Sequence, residues 1–202
     1  MPDFRTHDIG NTCTKTYKVY GSYKPWLITD FNQKCGYCND HDSWAGGKRG
    51  MQIDHFAPKK KFPDFECIYE NLIYSCFYCN NHKSDDWVTE HHNQPVSDDN
   101  LSGYIHPRGA EYIAAFTRDD DGKIIALTDV ARYMYRQLCL GLRRHELIHI
   151  LEELFNLWEQ LNQLAIDTSI PQAKRDILVN QRKEISDKFM EYLTEYRKTL
   201  NN

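Results

Sequence analysis

The spacing of apolar residues predicts long helices in the later part of the chain. Apolar positions recur at helical intervals from Val130 to about Leu164, and again in the stretch that follows Pro171. Gly141 is expected to interrupt the first of these stretches, while Pro171 suits the first turn of the second. The sequence therefore predicts a C-terminal bundle of two or three helices.

Earlier apolar runs are shorter and predict strands mixed with short helices. Strands are expected at 51–56, 71–74, 111–116 and 123–127, and short helices at 25–31 and 80–87. An Asp-Gly turn at 121–122 separates the last two strands, which is typical of a β-hairpin. Together with the C-terminal helices, these elements indicate an α+β fold.

Composition and charge narrow the function without changing the predicted fold. The chain has 202 residues, of which 41% are hydrophobic and 27% charged, as in a soluble globular protein. Its apolar runs are too short to span a bilayer, and the N-terminus lacks the layout of an export signal, so a cytoplasmic location is expected. The net charge of −4 argues against tight unaided binding to nucleic acid. A local basic patch is formed by Lys59, Lys60 and Lys61.

Two C-x-x-C pairs, Cys35/Cys38 and Cys76/Cys79, are the most specific motif in the sequence. Two such pairs at this separation predict one tetrahedral zinc site with four thiolate ligands. Because four sulfurs leave no open position, this Zn²⁺ is expected to be structural. The cysteines alone are equally consistent with a zinc ribbon that only binds a partner.

Polar residues between and after the cysteine pairs are candidates for catalysis. Asp54 offers a hard carboxylate oxygen for Mg²⁺ or Mn²⁺, and the adjacent His55 can take a proton from water near neutral pH. Neighbouring side chains of a strand point to opposite faces, so Asp54 and His55 can reach one site only near the end of a strand or at a bend. Pro58 lies just beyond them, where such a bend is expected. Asn80 is expected to complete the metal site. Asn71 is expected either to hold the loop that carries His55 or simply to cap a turn.

In order and spacing, this motif resembles the HNH, or ββα-metal, endonuclease family. The matching residues are Cys35, Cys38, Asp54, His55, Pro58, Asn71, Leu72, Cys76, Cys79, Asn80 and Lys83. One departure is Asn80, because many members carry His there, although Asn also serves at this position in the HNH domain of RNA-guided CRISPR nucleases. His82 is a second candidate for a ligand or a phosphate contact.

The resemblance implies a zinc-stapled ββα nuclease core with an added β-hairpin and a C-terminal helical bundle. Four segments are expected: an N-terminal extension at 1–34, the HNH core at 35–100, the hairpin at 101–128 and a helical region at 129–202. The implied reaction is hydrolysis of a DNA phosphodiester that leaves a 5′-phosphate. His55 would be the general base, Asp54 and Asn80 would hold Mg²⁺ or Mn²⁺, and Asn71 would orient the loop. The DNA backbone would be contacted by Lys83, Lys59, Lys60 and Lys61. The alternative is a catalytically silent zinc module that binds nucleic acid or protein.

A narrower resemblance covers residues 53–87, the hairpin that follows and the helical segment at 137–148, and thus most of the chain. It is to a bacterial subgroup that includes HNH subunits of Septu-type and retron-linked antiphage systems, in which the nuclease works with an ABC-type ATPase. The resemblance implies a defence role, DNA as substrate and an ATPase partner. An exposed stripe for docking that partner is expected at Leu147, Leu151, Leu154 and Trp158.

Overall fold

The computed structural model describes residues 4–89 and 95–200. The chain divides into two compact units, Met1–Leu142 and Arg143–Asn202. Helices and small antiparallel sheets are mixed in the first unit, and the second is helical, so the predicted α+β class is confirmed. Among the described residues, no helix combines the length and the apolar character that crossing a membrane requires.

Within residues 4–89 and 95–142, the first unit contains four α-helices and four strands. They are α1 (Lys24–Asp30), β1 (Gln52–His55), β2 (Leu72–Ser75), α2 (Phe77–Lys83), α3 (Ala110–Ala115), β3 (Phe116–Arg118), β4 (Ile124–Ala126) and α4 (Asp129–Gln137). The second unit contains α5 (Arg143–Ile166) and α6 (Gln172–Thr199), which pack against each other along their length.

β1, β2 and α2 form the predicted ββα core. β1 and β2 pair antiparallel, with Asp54 opposite Ile73 and His55 opposite Leu72. Every residue of β2 is buried, because α1 packs against this strand and its side chains join the main apolar cluster of the unit. α2 follows β2 after a single residue and packs against β1. Ser75, the last residue of β2, is paired with Gln52, so this short connection places the start of α2 beside the start of β1, and the end of α2 reaches the end of β1, where Lys83 donates a hydrogen bond to the His55 carbonyl.

α2 begins at Phe77, three residues before the predicted start at 80, and it ends at Lys83 rather than 87. The earlier start has a local cause, since the sulfur of Cys76 sits at the N-cap and accepts a hydrogen bond from the Cys79 amide at 3.5 Å. The sequence alone does not indicate this cap, because Ser, Thr, Asp and Asn are the usual N-caps. The first turn of α2 is therefore built by the zinc motif itself.

The second predicted strand pair exists, but its first strand is shorter than expected. β3 and β4 pair antiparallel with Phe116 opposite Ala126, whereas the preceding run, predicted as strand, folds as α3. The sequence of α3 is AEYIAA, and alanine has the highest helix propensity of all residues. The helix also buries Tyr112, whose hydroxyl donates a hydrogen bond to the Tyr37 carbonyl at 2.7 Å.

The predicted long helices are present, with the break where Gly141 indicated it. α4 ends at Gln137 and α5 begins at Arg143, while Pro171 directly precedes α6. The expected exposed stripe is wrong in part. Leu147 and Leu151 are fully buried, and the other two members are half-buried. A regular apolar stripe on a helix is normally the face that packs inside the protein, and these two leucines follow that rule.

Candidate active site

The four paired cysteines converge on one buried point. The sulfur atoms of Cys35, Cys38, Cys76 and Cys79 all lie within 4.8 Å of one another, and all four are free thiols. A tetrahedral Zn²⁺ with Zn–S bonds of about 2.3 Å requires sulfur–sulfur distances of about 3.8 Å. The Cys38 and Cys76 sulfurs are 3.8 Å apart. The donor set therefore fits a structural zinc ion with no open coordination position.

Two buried arginines hold the backbone of the first cysteine pair. Arg5 donates a hydrogen bond to the Gly36 carbonyl at 2.5 Å, and Arg118 donates to the Cys38 carbonyl at 3.3 Å. Four thiolates around Zn²⁺ carry a net charge of −2, so buried guanidinium groups beside them are electrostatically favourable. Neither arginine was identified from the sequence, because both are far from the cysteines along the chain.

Asp54 lies in β1 with its carboxylate almost completely enclosed, at 4% exposure. Its Oδ2 atom accepts a hydrogen bond from the Tyr37 hydroxyl at 2.5 Å and lies 3.3 Å from the Lys83 ammonium. Burial raises the pKa of the Asp54 carboxyl, and the charge of Lys83 opposes that shift. Both contacts use the same oxygen, so Oδ1 is the carboxylate atom left to bind a cation.

Lys83 is not placed to meet a phosphate. Its side chain has no exposed area, and its ammonium also donates a hydrogen bond to the His55 carbonyl at 3.0 Å. One side chain from the end of α2 thus ties together the two candidate residues at the end of β1. The expectation that Lys83 contacts the DNA backbone does not fit this placement, because a lysine three residues after Asn80 on α2 points at β1 rather than at solvent.

His55 is the last residue of β1, so its imidazole and the Asp54 carboxylate can both border one cleft. The His55 Nε2 atom is 3.0 Å from the Glu66 carbonyl oxygen. A carbonyl only accepts hydrogen bonds, so Nε2 carries the proton and the Nδ1 lone pair is available to a substrate. Burial lowers the pKa of His55, which keeps the imidazole neutral to lower pH than an exposed histidine. A neutral imidazole with a free lone pair is the form that a general base needs.

Asn71 fixes the loop that follows His55. Its side-chain oxygen accepts a hydrogen bond from the Ala57 amide at 2.8 Å. Its side-chain nitrogen donates to the carbonyls of Ala57 at 3.1 Å and Phe65 at 3.0 Å. This is the loop-holding arrangement that the sequence suggested, rather than a simple turn cap.

Asn80, in the first turns of α2, faces the same cleft as Asp54. Its side-chain nitrogen donates a hydrogen bond to the Gln52 side chain at 2.5 Å, which orients the amide and leaves its oxygen free to act as a ligand. The cleft has a volume of about 240 Å³. Its lining residues are Tyr20, Ile53, Asp54, His55, Pro58, Lys59, Lys60, Asn80, Ser84 and Asp85.

His82 does not border this cleft. It is exposed, and its Nδ1 atom contacts the Tyr78 carbonyl of the same helix at 2.8 Å. Helical residues two positions apart differ by about 200° in direction, so His82 and Asn80 project from opposite sides of α2. The structure therefore gives His82 no part in the predicted ligand set.

The lysine patch is divided between different partners at the surface. Lys59 forms an ion pair with Glu66 at 3.2 Å, and Lys60 forms one with Asp85 at 2.9 Å. Lys61 donates instead to the Trp87 carbonyl at 3.3 Å. Only the first two border the cleft, so the structure does not bring all three lysines together.

Three supporting residues were missed by sequence reasoning: Tyr37, Gln52 and Tyr20. Tyr37 lies between the first two cysteines, where the C-x-x-C spacing points to the cysteines and gives no sign of a role for the residue between them. Gln52 is two residues before Asp54, so it lies on the same face of β1. That strand spacing was the one available signal for Gln52. The sequence gives no such signal for Tyr20, because its position beside the cleft depends on the tertiary fold.

Comparison with known proteins agrees with this geometry. Residues 35–86 match the family model described as HNH endonuclease. The chain is also 26% identical over 147 residues to the Septu protein PtuB of Bacillus thuringiensis, an alignment that covers 67% of this chain and 51% of that protein. The chain thus spans about half the length of this curated relative. No solved structure gives a significant match. The four clustered cysteines, the ββα core and the Asp54–His55 pair all fall within the matched region, so residues 35–86 of this chain form an HNH endonuclease domain.

Proposed function

We propose that this protein is a metal-dependent HNH endonuclease that hydrolyses DNA phosphodiester bonds. The observation that supports it most is the convergence of Asp54, His55 and Asn80 on one cleft of about 240 Å³, each with a supporting hydrogen bond from the chain. A silent zinc module has no need for a buried carboxylate and an oriented imidazole beside each other. Cleavage of plasmid DNA by the purified protein with and without Mg²⁺ or Mn²⁺ tests the proposal.

His55 is assigned the role of general base. With Nε2–H held by the Glu66 carbonyl, Nδ1 accepts a proton from a water molecule as that water attacks the scissile phosphate. The lowered pKa of His55 keeps this nitrogen unprotonated at neutral pH. Asn71 keeps the loop after His55 in place.

Asp54 and Asn80 are assigned to a divalent cation. Their free side-chain oxygens form the kind of sparse, oxygen-only ligand set that Mg²⁺ and Mn²⁺ use when a substrate phosphate completes the coordination. When bound there, such an ion supplies positive charge to the phosphate and the leaving oxygen. Lys83 holds Asp54 through its other oxygen, which keeps Oδ1 directed to this task.

Lys59 and Lys60 are assigned to the DNA backbone. Each is exposed and paired with a carboxylate at the rim of the cleft. Exposed ion pairs contribute roughly 0–1 kcal/mol, so a DNA phosphate can replace Glu66 or Asp85 as the partner at little cost. The resemblance implies a 5′-phosphate on the cleaved strand.

Changing the cation ligands tests the metal assignment. Asp54→Ala would leave the buried Lys83 ammonium without its counter-charge, so Asp54→Asn is the more informative variant. Asp54→Asn and Asn80→Ala are each expected to raise the Mg²⁺ or Mn²⁺ concentration needed for half-maximal cleavage by at least about tenfold. Zinc content, measured by elemental analysis, is expected to stay at the wild-type level. Unchanged metal titrations in both variants would place the catalytic ion elsewhere.

The likeness to a Septu protein supports a role in a defence system. The ABC-type ATPase partner is what the resemblance to the Septu-type subgroup implies. The net charge of −4 also fits a nuclease that is brought to DNA by another subunit. Apolar residues are exposed in the helical unit, where Phe155, Trp158, Ser186, Phe189 and Met190 line a groove of about 290 Å³. We assign the partner contact to this groove in place of the buried Leu147 and Leu151.

A charge placed in this groove tests the partner assignment. Met190 is 58% exposed, so Met190→Asp is expected to leave the fold intact while weakening co-purification with the ATPase from the native host. Gln181→Asp is the matched control, because residue 181 is exposed on the opposite side of α6. Equal recovery of the ATPase with both variants, or the absence of any co-purifying ATPase with the wild type, would remove this assignment.

A further inference from the structure

Tyr20, from the segment before the zinc motif, lies directly against His55. The two rings have centroids 4.7 Å apart and meet edge to face at 74°. Tyr20 is half-buried and borders the active-site cleft, although it lies outside the residues 35–86 that match the HNH family. A residue that contacts the general base from outside the matched domain is a candidate for positioning it.

The segment that carries Tyr20 is anchored to both stretches of chain that hold His55. Tyr20 begins a short 3-10 turn that ends at the buried Tyr23, whose hydroxyl donates a hydrogen bond to the Cys67 carbonyl at 3.2 Å. Cys67 directly follows Glu66, the residue whose carbonyl accepts from His55. On the other side, Lys24 donates to the Met51 carbonyl at 2.7 Å, one residue before β1. The turn is thus tied to the strand that bears His55 and to its hydrogen-bond acceptor.

Lys59 also contacts the Tyr20 ring. Its ammonium lies 4.5 Å from the centre of the Tyr20 ring and 3.2 Å from the Glu66 carboxylate. A cation over the face of an aromatic ring is favourable and restrains the ring. Tyr20 is therefore held by Lys59 on its face while the rings of Tyr20 and His55 stay in edge-to-face contact.

Among the described residues, the His55 imidazole has one hydrogen bond to the chain, through Nε2, and a single hydrogen bond does not by itself fix the orientation of the ring. A flanking ring removes this freedom by occupying the space into which the imidazole would turn. Positioning of a reacting group within a fraction of an ångström has a large effect on rate. Edge-to-face contact also favours the ring orientation observed here.

We propose that Tyr20 is a positioning residue that holds the His55 ring for proton abstraction, which makes the N-terminal segment part of the active site. The inference rests on the proposed function, in which His55 is the general base. The aromatic ring of Tyr20 carries this role, whereas its hydroxyl is not required.

Three variants separate ring, hydroxyl and bulk. Tyr20→Phe keeps the ring and is expected to cut DNA at close to the wild-type rate. Tyr20→Leu and Tyr20→Met remove the ring and are expected to lower the rate at saturating DNA about tenfold, with little change in the DNA concentration for half-maximal rate. Tyr17→Leu is the control, because Tyr17 is a half-buried aromatic of the same segment that packs on Tyr23 instead of His55.

Nitrogen-15 NMR of the His55 ring provides a readout that does not depend on cleavage. The wild type and Tyr20→Phe are expected to show a single Nε2–H tautomer, and the variants without the ring a shifted or mixed one. An unchanged His55 spectrum in folded Tyr20→Leu and Tyr20→Met would overturn the proposal, whether or not the protein cuts DNA. Equal loss of rate in Tyr20→Phe and Tyr20→Leu would overturn it as well. Failure of the proposed function alone would appear differently, as a wild type that never cuts while its His55 ring still depends on Tyr20.

Discussion

His55→Ala is expected to slow DNA cleavage by roughly 10²–10⁴-fold, the usual cost of removing a general base. The variant loses an imidazole that borders the cleft, has a free Nδ1 lone pair and has its pKa lowered by burial. Cleavage is measured under the conditions in which the wild type is active, including the partner if the partner is needed. Zinc content and thermal unfolding are followed in parallel, and the zinc content should not change.

The matched control for this variant is His82→Ala. His82 lies on α2 within the same domain, but it is exposed and bonded to its own helix backbone. It is expected to retain wild-type activity. Full activity in His55→Ala, or equal losses in the two variants, would mean that His55 is not the base.

Cys76→Ser is expected to unfold the nuclease core. Cys76 supplies a sulfur to the predicted zinc site and also caps α2, the helix that carries Asn80 and Lys83. Structural zinc contributes about 10–16 kcal/mol of binding free energy in small zinc domains, whereas a whole domain is stable by about 5–15 kcal/mol. The zinc-binding free energy lost with one ligand is therefore expected to be large enough to abolish the folded state of this unit.

Circular dichroism, thermal unfolding and elemental analysis measure this outcome. The wild type should contain about one zinc per chain. Cys13→Ser is the control, since Cys13 is a free, half-buried thiol that is not part of the four-cysteine cluster. It is expected to keep both its zinc and its fold. Pure, folded wild-type protein without zinc would contradict the structural role assigned to the four cysteines.

The zinc motif and the Asp54–His55 pair could be predicted because their chemistry is encoded in local spacing. The two C-x-x-C pairs predict that four sulfurs meet at one site, and they do. Asp54 and His55 can share one site only near a strand end, and His55 is the last residue of β1. The helical periodicity of the C-terminal region likewise reflects local geometry, so α5 and α6 appear where the pattern indicated them.

Contacts that depend on tertiary packing could not be predicted in this way. A lysine after the second cysteine pair suggests a phosphate contact, yet the packing of α2 on β1 buries Lys83 against Asp54. Tyr20 and Tyr37 reach the site from other parts of the fold, and an aromatic residue in sequence carries no sign of which histidine or carboxylate it will meet. The burial of Leu147 and Leu151 could not be predicted for the same reason, because periodicity identifies an apolar face of a helix but not what packs against it.

The most direct test of the active-site assignment is a crystal structure of His55→Ala bound to DNA and Mn²⁺, with anomalous scattering used to locate the ion. We expect one Mn²⁺ bound to Asp54 and Asn80 and to a phosphate oxygen of the DNA, with that phosphate on the side of the cleft where the His55 ring stood. Mn²⁺ bound away from these two residues, or DNA bound with no phosphate in this cleft, would mean that the active-site assignment is wrong.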